Sequence, residues 1–178
     1  MPAANSRLFR DCLGRFASGV TVVTVSDRDG VHGATVSSFT SVSLDPPLIL
    51  VSLDRRSRLC GRLGAIPFGI NVLAATQSDV AQHFAGRPDA HDGPIRWRHQ
   101  GPAPRLAGCA AFLECSAYAA YDGGDHVLFL GRVEAFETSD VEPLVFHRGS
   151  FRELLGRRPS AAWHGSFDHP FAYFRGER

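Results

Sequence analysis

Leu8, Phe9, Cys12, Leu13 and Phe16 recur at helical spacing behind Ser6, which predicts an amphipathic helix capped by Ser6 and ending near Ala17 to Gly19. The pattern then changes. Val20 to Val25 is β-branched throughout, Asp27 to Gly30 is a turn and Val31 to Phe39 resumes extended, so this stretch predicts an antiparallel hairpin. Asp45-Pro46-Pro47 breaks the chain, and the apolar run Leu48 to Leu53 suits a buried strand. A short helix is expected from Ser57 to Leu63, a strand from Phe68 to Leu73, and a brief helix capped by Ser78 whose Val80, Ala81 and Phe84 share a face. From Gly86 to Arg105 Pro, Gly, Asp, His and Arg mix without periodicity, which predicts a long surface loop able to act as a lid. Two long strands follow, Cys109 to Tyr121 and His126 to Phe136, joined through the turn-rich Asp122-Gly123-Gly124-Asp125 as a second hairpin.

Many strands joined by hairpins, with few helices and no helical crossovers, predict a mainly β fold: a closed antiparallel barrel with peripheral helices rather than a doubly wound sheet. No repeat or boundary divides residues 1–178, so one domain is expected. Residues after about 155 read as an irregular tail. Its Trp163, Phe167, Phe171, Tyr173 and Phe174 suit burial against a second copy of the chain or against the barrel itself.

Composition removes several function classes. With 44% hydrophobic and 21% charged residues the chain has the makings of an ordinary globular core. A net charge of +1 is too small for the electrostatic footprint of a nucleic-acid binder. The 19 basic residues are all arginine, which excludes lysine Schiff-base chemistry and the P-loop lysine. No stretch suits a secretory signal or a membrane span, so a cytoplasmic protein is expected. Cys12, Cys60, Cys109 and Cys115 lack paired C-x-x-C spacing, and Cys109 and Cys115 would lie about 20 Å apart along one strand. Free thiols are expected rather than a zinc site. His83, His91 and His99 fall in or beside the long loop without a ligand spacing, and solvated histidines account for them.

No G-x-S-x-G elbow, H-E-x-x-H or G-x-G-x-x-G occurs, so nothing points to a hydrolase. What stands out is Gly33-Ala34-Thr35-Val36-Ser37-Ser38, continued by Phe39 to Ser43. Small hydroxyl side chains leave the backbone approachable by a flat heteroaromatic ligand, although an edge strand made soluble by Ser and Thr explains the run equally well.

Several segments in register carry a family resemblance: Gly14 to Thr24, Gly33 to Pro47, Asn71-Val72-Leu73, His83-Phe84-Ala85-Gly86 and Gly124 to Val133. Across residues 7–155 the chain resembles the short-chain flavin reductases, the reductase components of two-component flavin-dependent monooxygenases, which are built on the FMN-binding split barrel. That resemblance implies an antiparallel split β-barrel, a homodimer, and NADH or NADPH reducing FMN or FAD for a separate monooxygenase. It implies that the isoalloxazine ring rests on Thr35, Val36, Ser37 and Ser38, and that the loop Ser52, Leu53, Asp54, Arg55, Arg56 and Ser57 holds the ribityl chain and phosphate. Arg55 and Ser57 are chemically suited to phosphate, and a helix starting near Ser57 would add its positive end. Phe84, Ala85 and Gly86 match the segment touching the flavin phosphate or the adenylate of FAD. Arg87 is a further phosphate candidate, and simple solvation explains it as well.

His126 matches a position lining the nicotinamide pocket; a hairpin histidine bonded to Asp125 is its structural alternative. Phe151 stands where the family commonly has a tyrosine near the nicotinamide, so the stacking face is kept and the hydroxyl lost. Hydride transfer between stacked rings roughly 3 to 4 Å apart needs no protein nucleophile, which agrees with the missing triads. Two other functions remain open on sequence: a tightly held flavin reducing another acceptor, and a non-catalytic flavin-binding protein.

Overall fold

The computed structural model describes residues 3–98 and 101–154. Among them, helix α1 (Ala3–Leu13) precedes β1 (Ser18–Gly19), β2 (Thr21–Asp27), β3 (Gly30–Val36), β4 (Thr40–Leu44), β5 (Pro47–Asp54) and β6 (Phe68–Val72). Helix α2 (Ser78–Phe84) and a 3-10 turn (Pro88–Ala90) lead to β7 (Trp97–Arg98), β8 (Arg105–Leu106), β9 (Ala111–Gly123), β10 (His126–Thr138), β11 (Val145–His147) and β12 (Ser150–Arg152). The fold is mainly β, and its pairings are antiparallel: one seven-stranded sheet in the order β3-β2-β6-β9-β10-β5-β4, a three-stranded sheet β1-β11-β12 and the β7-β8 pair.

The unbroken β-branched run of β2 is explained by burial on both of its faces. Val23 and Val25 pack with Ile49, Val51, Leu53, Phe68, Ile70 and Phe129, while Val20 and Val22 pack with Leu73, Val80, Ala81, Leu106 and Leu144. Asn71 is fully buried between the two clusters. Its amide donates to Val22 O and Thr24 Oγ1 at 3.0 Å each and accepts from Leu106 N at 2.7 Å, so no polar atom of the side chain is stranded.

Several expected boundaries move. The first helix spans Ala3–Leu13, so Ser6 lies inside it rather than capping it. It closes early, through Gly14 N to Arg10 O (2.8 Å) and Phe16 N to Leu13 O (3.1 Å), and Leu8, Phe9, Leu13 and Phe16 are exposed rather than buried. β3 ends at Val36, and Ser37 to Phe39 form the link to β4. Residues 57–63 form successive turns rather than a helix: Cys60 N bonds Ser57 O and Arg62 N bonds Leu59 O, with the weak helix former Gly61 between. Gln77, not Ser78, caps α2, and it does so without a side-chain hydrogen bond.

The segment from Gly86 to Arg105 is less irregular than its composition suggests. Its last residue, Arg105, is 3% exposed, ion-paired with Glu137 and placed over the Phe112 ring. The tail expected to wrap a partner, with Trp163 to Phe174, lies outside the described residues, as does His99.

Candidate functional site

The link Ser37-Ser38-Phe39 brings β3 alongside β5. Ser38 Oγ accepts from Ser52 N at 2.9 Å and donates to Ser52 O at 3.0 Å, which fixes the spacing between them. Thr35 Oγ1 donates to Ala81 O at 2.7 Å, tying β3 to α2. Gly33 makes the contact close, because a Cβ there would sit 2.7 Å from the Phe84 ring. The outcome is an open cleft of about 400 Å³ lined by Ala34, Thr35, Val36, Ser37, Ser38, Ser52, Leu53, Asp54, Ser57, Phe84, Ala85 and His126.

Four segments far apart in sequence thus meet at one cleft, and most residues named from the sequence line it. Arg55, Gly86 and Phe151 do not. The Arg55 guanidinium donates to Gly124 O at 2.7 Å and pairs with Asp122, so it is engaged by the β9–β10 turn beside the cleft. Gly86 follows Ala85 in a left-handed turn (φ +90°) just past the lining. Phe151 stacks edge-on against Phe146, with centroids 5.5 Å apart, beside the second core cluster. Ser52, Leu53 and Asp54 belong to strand β5 rather than to a loop, and the helix dipole expected at Ser57 is absent because turns follow it. Ala34 was missed because it carries no chemistry of its own; the small-residue run around it was the available signal.

The electrostatics are local. Asp54 accepts from the Arg56 side chain at 2.7 and 3.0 Å and from Arg56 N at 2.8 Å, and these bonds hold its carboxyl well below the usual carboxylate range. Asp122 is lowered by the Gly124 N–H and then by Arg55. His126 Nδ1 lies 2.7 Å from Asp125 Oδ1. A carboxylate can only accept, so Nδ1 carries the proton and Nε2 has no partner among the described residues. The hydroxyl of Ser37 also has no partner among the described residues, while Val36, Leu53 and Phe84 supply apolar surface. This lining suits a planar ring with polar edges better than it suits covalent catalysis.

Residues 13–155 match the family model described as flavin reductase like domain. The chain belongs to that family. An NADH-dependent flavin reductase of Rhodococcus sp. is 47% identical over 154 residues, covering 83% of this chain and 87% of that protein. The reductase component of a flavin-dependent trigonelline monooxygenase from Acinetobacter baylyi is 39% identical over 155 residues, and there the match covers 85% of this chain but only 50% of the longer relative. Among solved structures, a Streptomyces globisporus NADH:FAD oxidoreductase in complex with NAD and FAD fragments superposes with a TM-score of 0.78 at 38% identity, covering 91% of this chain and 99% of that one. Within this flavin reductase-like domain, the described cleft is the place where β3, β5, α2 and the β9–β10 hairpin converge.

Proposed function

We infer that the protein is an NADH-dependent flavin reductase that reduces FMN or FAD and supplies the reduced flavin to a partner monooxygenase. The observation carrying this reading is the cleft itself: an apolar floor, approachable backbone and, at Ser37 and His126, polar groups without a partner among the described residues, in a chain whose relatives are named as flavin reductases. When bound, the flavin supplies the hydride-accepting chemistry. The protein's own residues bind and orient. Thr35, Val36, Ser37 and Ser38 offer main chain and small side chains to the ring; Ser52, Leu53, Asp54 and Ser57 form the opposite bank toward the ribityl chain and phosphate. Phe84 and Ala85 close one end, and His126 Nε2 is available to the nicotinamide carboxamide. An open cleft with one ionised side chain, Asp54, favours release of reduced flavin over tenacious retention.

Three finer features belong to the same reading. Ser37 to Phe39 link β3 and β4, the two outer strands of the seven-stranded sheet, and the Ser38–Ser52 bonds tie that link to β5, which supports a barrel shut at that seam. A second copy of the chain covers the exposed Val42, Leu44, Tyr118, Tyr121 and Phe136 on β4, β9 and β10, as a homodimer. Four free cysteines accord with a reducing cytoplasm.

The deciding experiment is anaerobic mixing with NADH while the visible flavin band is followed, together with steady-state NADH oxidation at varied FMN and FAD. Added flavin should saturate as a substrate. A protein active without added flavin would be a prosthetic-group enzyme, and an unbleached band with no NADH consumption would leave only flavin binding. Analytical ultracentrifugation tests the dimer, and a purely monomeric species at micromolar concentration would remove it.

A further inference from the structure

Trp97 lines no part of the cleft, yet its ring meets that of Phe84, which does. We propose that Trp97 is a positioning residue for flavin: it holds the Phe84 ring in the end wall of the cleft and thereby sets flavin affinity. This rests on the assignment of the cleft to flavin.

Phe84 is the last residue of α2, a helix of seven residues, and a helix that short has little stability of its own. Its ring is therefore placed by what surrounds it. Gly33 leaves room on one side, since a Cβ there would sit 2.7 Å from the ring. That room admits the ring without holding it. His83, with its centroid 4.9 Å away, is the preceding residue and travels with the helix end. Trp97 comes from a different element, with centroids 6.1 Å apart and planes at 66°, the edge-to-face arrangement that aromatic pairs favour. Both rings also pack against the second core cluster.

Trp97 is in turn fixed from the core. It pairs with Leu106 across β7–β8, and Leu106 N donates to the buried Asn71 Oδ1 at 2.7 Å. Thr24 Oγ1 donates to Pro104 O at 2.6 Å, Ala107 N to Arg96 O at 2.9 Å and Gln77 Nε2 to Ala107 O at 2.9 Å. The β7–β8 pair is thus a strut standing on β2 and β6. The chain between Phe84 and Trp97 is folded back onto α2, with His83 Nδ1 donating to Pro88 O at 2.9 Å and His91 Nδ1 to Asp79. The stretch whose composition suggests a lid is a strap that carries the indole to the helix end.

The test is Trp97→Leu, which keeps apolar bulk and removes the ring, beside Trp97→Phe, which keeps an aromatic edge. In Trp97→Leu, Kd for FMN by titration calorimetry and KM for flavin should both rise about two- to tenfold, the range spanned by one aromatic pair. The kcat and KM for NADH should stay within about twofold, and Trp97→Phe should restore most of the flavin affinity. Loss of folded protein would instead lower apparent kcat and leave KM alone. In a Phe84→Leu background Trp97→Leu should have no further effect on FMN affinity, because the ring it holds is gone. Unchanged FMN affinity in folded Trp97→Leu, or full additivity with Phe84→Leu, would overturn the proposal. Trp163→Phe leaves Trp97 as the single tryptophan of the chain, and FMN binding should quench its emission. FMN bound without quenching would place flavin away from the cleft and sink the functional reading with this proposal, whereas quenching beside an unaffected Trp97→Leu would sink the positioning role alone.

Discussion

Replacing Gly33 with alanine places a methyl carbon 2.7 Å from two atoms of the Phe84 ring and 3.3 Å from Val22 Cγ1. The first distance is well inside van der Waals contact, so the ring must move. Overpacking of this kind costs about 1–3 kcal/mol, while the reduced freedom of the unfolded chain returns about 0.4–1 kcal/mol. A net destabilisation of about 0.5–2 kcal/mol is expected from urea unfolding with an unchanged m-value. Because Phe84 also lines the cleft proposed to hold flavin, FMN affinity should fall in the same variant. The diagnostic is a double-mutant cycle with Phe84→Leu. Without the ring, Gly33→Ala should be neutral or stabilising, giving a coupling energy of about 1–3 kcal/mol. Additivity of the two single effects within about 0.5 kcal/mol would show that the glycine is not there to admit the ring, and the account of how β3 and α2 shape the cleft would fail.

Asn71→Ala removes a side chain making three buried hydrogen bonds and should cost about 3 kcal/mol, read as a lowered urea midpoint. Asp27 is held at about 2 rather than the ordinary 3.8, first by Arg62 at 2.7 Å and then by the Asp29 N–H. A depressed folded value means stability that is present above pH 3.8 and lost as pH falls through about 2, so Asp27→Asn should flatten the acid limb of the stability curve in that window. His126→Ala should raise KM for NADH while flavin affinity holds, and loss of flavin affinity alone would count against its assignment to the nicotinamide. Cys12 should be alkylated first in the native protein; Cys115, buried and pushed up to about 12 by desolvation and by Glu134 and Glu114, should react only after unfolding, as peptide mass mapping will show.

Strand β2 could be read because its burial on both faces writes an unbroken apolar run, and β5 because Ile49, Val51 and Leu53 supply one face of the first core cluster. The end of α1 and the turns at 57–63 could not, since they are closed by three-residue turn bonds such as Phe16 N to Leu13 O and Arg62 N to Leu59 O, which periodicity ignores. Arg105 reads as one more loop arginine until Glu137, thirty-two residues later in the numbering, is brought across the fold to neutralise it.

The same limit explains the candidate site. Thr35 to Ser38 stand out as a hydroxyl-rich run, whereas Ser52 to Asp54, Phe84 and His126 enter only through the family resemblance; the fold brings all of them to one cleft. Arg55 shows what sequence cannot decide: its head group is equally suited to a phosphate and to Asp122, and only the register of β10 on β5, pairing His126 with Asp54, puts the hairpin carboxylate within its reach. Charged residues in this chain are thus informative where their partners are fixed by long-range pairing, as Arg105 with Glu137 and Arg55 with Asp122 are.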